Sequence, residues 1–106
     1  MEHLLNNKNF YFQEFDVLNN FKVVGHIDKV VHLASVPSPK FYYRLPKKTF
    51  FSCLGGSKNM LDCAVEKGAN YFFSSTSEVY GDPAISPQPE WYAGNVSTIG
   101  KRCQYD

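Results

Sequence analysis

Apolar residues along this chain fall into blocks separated by polar, proline-rich or glycine-rich breaks. Residues 9–17, Asn-Phe-Tyr-Phe-Gln-Glu-Phe-Asp-Val, are aromatic with partial alternation and predict a strand. Ile27 to Ser35 is a continuous, partly β-branched apolar run, the pattern of a strand buried on both faces. In 47–67, Phe50, Leu54, Leu61 and Val65 recur at near-helical spacing, and Met60 and Ala64 add to that face. Pro46 suits the first turn of this helix and Gly68 its end, while Gly55-Gly56 interrupts it at about 1 kcal/mol per glycine. Ala69 to Ser75, around Tyr71-Phe72-Phe73, reads as another buried strand.

The breaks are equally informative. Residues 1–8 read as a helix end or loop stopped by Asn6-Asn7, and 18–26 as a short connector. Val36-Pro37-Ser38-Pro39-Lys40 reads as a loop over the sheet edge, because prolines exclude helix interior and central strand. Pro83, Pro87 and Pro89 make the next stretch a loop, and 84–99 carry no recognisable chemistry. Ile99 to Arg102 lead into an expected helix carrying Tyr105. Strands alternating with helices predict an α/β fold with a parallel sheet and right-handed crossovers.

A chain of 106 residues allows at most one small domain, and 43% hydrophobic content is ample for a core. The net charge of +1 leaves no basic footprint for nucleic acid. Cys53, Cys63 and Cys103 lack CxxC spacing and leave one unpaired, which fits free thiols in a reducing compartment. No apolar run approaches the ~18 residues of a membrane span. The expected compartment is the cytoplasm, or the Golgi lumen if an anchor preceded this segment.

The densest candidate chemistry is Ser74-Ser75-Thr76-Ser77-Glu78-Val79-Tyr80-Gly81-Asp82-Pro83. Small hydroxyls and an acid following a strand suit a site at the carboxyl edge of a parallel sheet, where open α/β sheets bind ligands. Turn chemistry alone also favours Ser, Asp, Gly and Pro there. Ala34 and Ser35 are small enough to let a ligand approach the backbone. Asp16 alone reads more readily as a strand-end turn former. His32 reads as a packed core residue, with no ligand set and no metal site expected around it. Tyr42 and Arg44 read as core packing or as a substrate-side wall.

The run Ser75 to Pro83, STSEVYGDP, followed by Tyr105-Asp106, resembles the UDP-glucuronate decarboxylases (UDP-xylose synthases). These belong to the NAD-dependent epimerase/dehydratase branch of the extended short-chain dehydrogenase/reductases. The resemblance covers essentially the whole chain, including His32-Leu33-Ala34-Ser35 and Asn59-Met60-Leu61. It implies a partial Rossmann-like, doubly wound parallel sheet, with 1–106 as the central fragment of an NAD-binding domain. It also implies NAD as cofactor, UDP-glucuronate as substrate, and homodimers for full-length members. On the family's pattern Asp16 and Val17 meet the adenine end of NAD. Leu33, Ala34 and Ser35 pass beside its ribose and pyrophosphate. Ser75 and Tyr105 lie at the cofactor, and Ser77 and Tyr42 at the substrate. Thr76, Glu78 and Tyr105 take the catalytic places. The family's "KTNTIGTLNML" stands here with Cys53 in place of its asparagine.

Two family elements have no counterpart in the sequence. No G-x-G-x-x-G is present, and the lysine four places after the tyrosine would fall at position 109. The expectation is therefore a fragment of a longer protein, without the first βαβ portion and the C-terminal substrate domain, and inactive alone.

Overall fold

The computed structural model describes residues 2–36, 38–100, 103 and 105. Glu2–Leu4 form a 3-10 turn. The first strand, β1, spans Lys29–His32. Two helices follow, α1 at Pro39–Arg44 and α2 at Pro46–Lys67. They lead into β2 at Asn70–Phe73. A second 3-10 turn occupies Ser77–Tyr80.

β1 and β2 pair in parallel, with Val30 opposite Tyr71 and His32 opposite Phe73. The ladder runs on at both ends, through Asn70 N–H to Asp28 O and Ser74 N–H to His32 O. A parallel pair cannot be closed by a hairpin, and α1 and α2 supply the crossover. Both strand ends therefore leave the sheet on one edge.

Val30 and His32 are buried while Lys29 and Val31 are exposed, so only one face of β1 is covered. The sequence predicted burial on both faces. Residues 10–16 form no strand either: they run as irregular chain, with Tyr11 and Phe12 exposed. A strand exists only as part of a ladder, and this segment pairs with no strand among the described residues. The segment 36–40 also departs from expectation, because Pro39 starts α1 rather than prolonging a loop. Proline is tolerated in a first helical turn, where its missing N–H costs nothing.

α2 ends as its sequence predicts, on Gly68 in the left-handed conformation. Its orientation differs from the prediction. Phe50, Leu54, Leu61 and Val65 lie on the surface, and the helix buries Thr49, Gly56 and Ala64. This narrow face lets other chain segments approach closely. A β-carbon on Gly56 would sit 2.8 Å from Val17 Cγ2, and one on Gly55 would sit 2.9 Å from Leu18 Cδ2. The glycine pair does not break the helix; it makes room for segment 16–18. Asn59 Nδ2 then ties that segment down by donating to Val17 O at 2.8 Å.

The buried set is small: Val30, His32, Tyr42, Thr49, Gly56 and Ala64 among the described residues. The radius of gyration is 16.6 Å, against about 13 Å for a close-packed domain of this length. The apolar surface is therefore only partly covered.

Gly56→Ala is expected to lower unfolding free energy by about 1–3 kcal/mol through overpacking against Val17. Urea denaturation followed by circular dichroism measures it. Adding Val17→Ala is expected to restore part of the loss, since the clash is with that side chain.

Candidate functional site

The parallel pairing brings two chemistry-bearing segments to one edge: Leu33-Ala34-Ser35 after β1, and Ser74 to Glu78 after β2. The tethered 16–18 segment adds a third. Between the first and third lies a cleft of about 700 Å³ lined by Glu14, Phe15, Asp16, Val17, Ala34, Ser35, Val36 and Ser52. Four predicted cofactor residues, Asp16, Val17, Ala34 and Ser35, thus share one cavity. Leu33 is exposed and is not among its lining residues.

Asp16 turns the chain locally. Its Oδ1 accepts from Leu18 N–H at 3.0 Å, and its carbonyl accepts from Asn19 N–H at 2.9 Å. The turn reading is thus correct, and it leaves the ligand reading intact, because a carboxylate accepts several hydrogen bonds. Behind the lining residue Ser35, Cys53 Sγ lies 3.7 Å from Ser35 Oγ.

At the β2 end the chain enters its 3-10 turn with Thr76 in extended conformation as the cap, its Oγ1 accepting from Glu78 N–H at 3.4 Å. An accepting hydroxyl retains its own proton to donate. Thr76 and Glu78 are half-buried, and Ser75 and Ser77 are exposed. Residues 84–99, which carried no readable chemistry, include the brace for this turn. Gly81 bridges to Asn95, whose N–H donates to Tyr80 O at 2.9 Å and whose carbonyl accepts from Asp82 N–H. Gly81 has φ +62°, and a β-carbon there would collide with the Asn95 carbonyl. Tyr92 stacks on Tyr80 at 6.0 Å and its hydroxyl accepts from Ala84 N–H.

Tyr105 lies in a turn rather than a described helix; Lys101, Arg102, Gln104 and Asp106 lie outside the described residues. Its ring stacks on Tyr42, with centroids 4.7 Å apart and planes 18° from parallel. Tyr42 is only 2% exposed.

His32 is packed under α2, stacked on Phe73 at 5.4 Å and hydrogen-bonded to Ser57 Oγ across 3.5 Å. Burial holds its pKa below the ordinary 6.5. Its Nδ1 and the neighbouring Tyr71 hydroxyl are buried with no hydrogen-bond partner among the described residues, and burial pushes the Tyr71 phenol up from 10. Among the described residues, no group of three or more His, Cys, Asp or Glu is placed to hold a metal. No helix there is long and apolar enough to cross a membrane.

A parallel β–α–β unit with small residues, hydroxyls and an acid at its carboxyl edge defines a Rossmann-like α/β protein. Residues 3–101 match the NAD dependent epimerase/dehydratase family, and the chain belongs to it. It is 51% identical over 80 residues to UDP-glucuronic acid decarboxylase 3 of Arabidopsis thaliana, covering 76% of this chain and 23% of that protein. It is 42% identical over 106 residues to UDP-glucuronic acid decarboxylase 1 of Xenopus tropicalis, covering 100% and 25%. UDP-glucuronic acid decarboxylase 1 of A. thaliana gives 42% over 104 residues, covering 98% and 23%. The chain spans about a quarter of the length of these curated relatives.

His32 yields a pH prediction. Burial lowers its pKa in the folded state, whereas the unfolded histidine takes up a proton near pH 6.5. Below that pH the unfolded state binds more protons. Stability is thus full above about 6.5 and falls on acidification, at no more than about 1.4 kcal/mol per pH unit. Urea titrations between pH 7.5 and 5 should show a steeper loss in the parent than in His32→Leu. Parallel curves would refute the assignment.

Proposed function

We propose that this chain is the central part, residues 1–106, of an NAD-binding Rossmann domain in a UDP-glucuronate decarboxylase. The observation that carries this is the convergence of Asp16, Val17, Ala34 and Ser35 on one cleft, at the sheet edge where STSEVYGDP emerges. The similarity to UDP-glucuronic acid decarboxylases supports the substrate.

The cleft suits the adenosine end of a dinucleotide. Small residues at 34 and 35 allow close backbone approach, and the Asp16 carboxylate accepts from an amino group. Leu33 and Ser75 flank the same edge. When bound, NAD supplies reversible hydride acceptance, so the net reaction is a lyase step.

The chain's own residues divide the remaining work. Thr76 donates its hydroxyl proton to the sugar 4-oxygen and orients it. Tyr105, as phenolate, takes the proton of the 4-hydroxyl. A phenol with ordinary pKa near 10 needs a lowered pKa to serve as base near neutrality. Oxidation at C4 places a ketone β to the carboxylate, which allows loss of carbon dioxide. Glu78, half-buried beside Thr76, handles the proton that replaces it. Ser77 contacts the sugar nucleotide from the exposed side of the turn. Homodimerisation of the full-length protein belongs to the same proposal, with the exposed Phe50, Leu54, Leu61 and Val65 ridge of α2 as its supporting surface.

The test is a chimera in which this segment replaces its counterpart in the Xenopus relative, to which it aligns along its full length. The expected product from UDP-glucuronate is UDP-xylose with carbon dioxide, and Tyr105→Phe is expected to lower kcat by about 10²–10⁴-fold. An epimerised or dehydrated sugar nucleotide with its carboxylate retained would overturn the decarboxylase reading.

A further inference from the structure

The position of Tyr42 points to a role different from substrate contact. A residue walling a substrate presents surface to it, and Tyr42 has almost none: it is 2% exposed, although it sits on α1, a helix only six residues long. Its ring is enclosed by two others. Tyr43 meets it edge-on at 5.4 Å and 65°, and Tyr105 lies against it at 4.7 Å and 18°.

We infer that Tyr42 is a positioning residue for Tyr105, a platform that fixes the plane and reach of the phenol. This rests on the reading of Tyr105 as the general base. Tyr105 lies in a turn. A near-parallel ring stack restrains its swing. Offset stacking of this kind also keeps water from one face of the ring. α1 is anchored for the task. Pro39 opens it, Leu45 N–H returns to Phe41 O, and Thr49 at the start of α2 donates its buried hydroxyl to Leu45 O at 3.1 Å. The platform is thereby tied through Leu45 to the long helix that spans the crossover.

Two variants separate this role from a substrate wall. Tyr42→Phe keeps the stacking ring; Tyr42→Leu removes it. In the chimera described above, Tyr42→Leu is expected to reduce kcat about 10–100-fold, the scale of a small misplacement of a catalytic group. The KM for UDP-glucuronate should change little, and Tyr42→Phe should recover most of the rate. A rise in KM with kcat retained, or no effect, overturns the proposal. The 106-residue chain gives an independent readout. Labelled-tyrosine NMR, with Tyr105 assigned from Tyr105→Phe, should show its ring signals displaced upfield in the parent and Tyr42→Phe. That displacement should be lost in Tyr42→Leu; its persistence there sinks the stack even if the chimera is silent. Failure of the base reading shows separately, as unchanged kcat in Tyr105→Phe.

Discussion

The parallel pairing of Lys29–His32 with Asn70–Phe73 constrains everything else in this chain. Parallel strands start and finish together, so their carboxyl ends share an edge, and whatever follows each strand is brought side by side. Here that means a small-residue pair after β1 and a hydroxyl-rich turn after β2. An antiparallel pair would have sent the two segments to opposite ends. The crossover that this pairing requires is made here by the two intervening helices, and Tyr42 lies on the first of them.

The second constraint is the thinness of α2 on its inner face. Glycines at 55 and 56 lower helix propensity, by about 1 kcal/mol each relative to alanine. They allow the 16–18 segment to lie on the helix and be held through Asn59. Asp16 therefore reaches the cleft although its segment belongs to no strand in this structure. One wall is placed by a side-chain tether and a close approach, the other by a backbone ladder.

Local signals in the sequence carried well. The two strands, the long helix with its Pro46 start and Gly68 cap, and the packed His32 all lie where the residue pattern puts them, though β1 and β2 are shorter than their apolar runs and β2, expected to be buried, leaves Phe72 and Phe73 exposed because the two-stranded sheet is only partly covered. What failed was information that depends on a partner. Periodicity places Phe50, Leu54, Leu61 and Val65 on one face of α2 but does not say what that face meets; they are at the surface. Aromatic alternation in 9–17 describes a segment able to join a sheet, and a ladder needs a neighbour. The prolines at 37 and 39 punctuate the chain without revealing that the second opens a helix. Residues 92–95 were opaque because a brace has no chemistry of its own; its meaning lies in the turn it holds.

Position 53 shows how frame and chemistry separate at this edge. A thiol donates and accepts only weakly. Yet Cys53 still faces the end of β1, with Sγ 3.7 Å from Ser35 Oγ. The strand end does not depend on that contact for its place. Main-chain bonds fix it, from Ser74 N–H to His32 O on one side, while Asn59 anchors Val17 O on the other. A substitution at 53 therefore changes what Ser35 can hydrogen-bond without moving the strand end. The same logic applies across the edge, where Asn95 holds the 3-10 turn through backbone atoms of Tyr80 and Asp82.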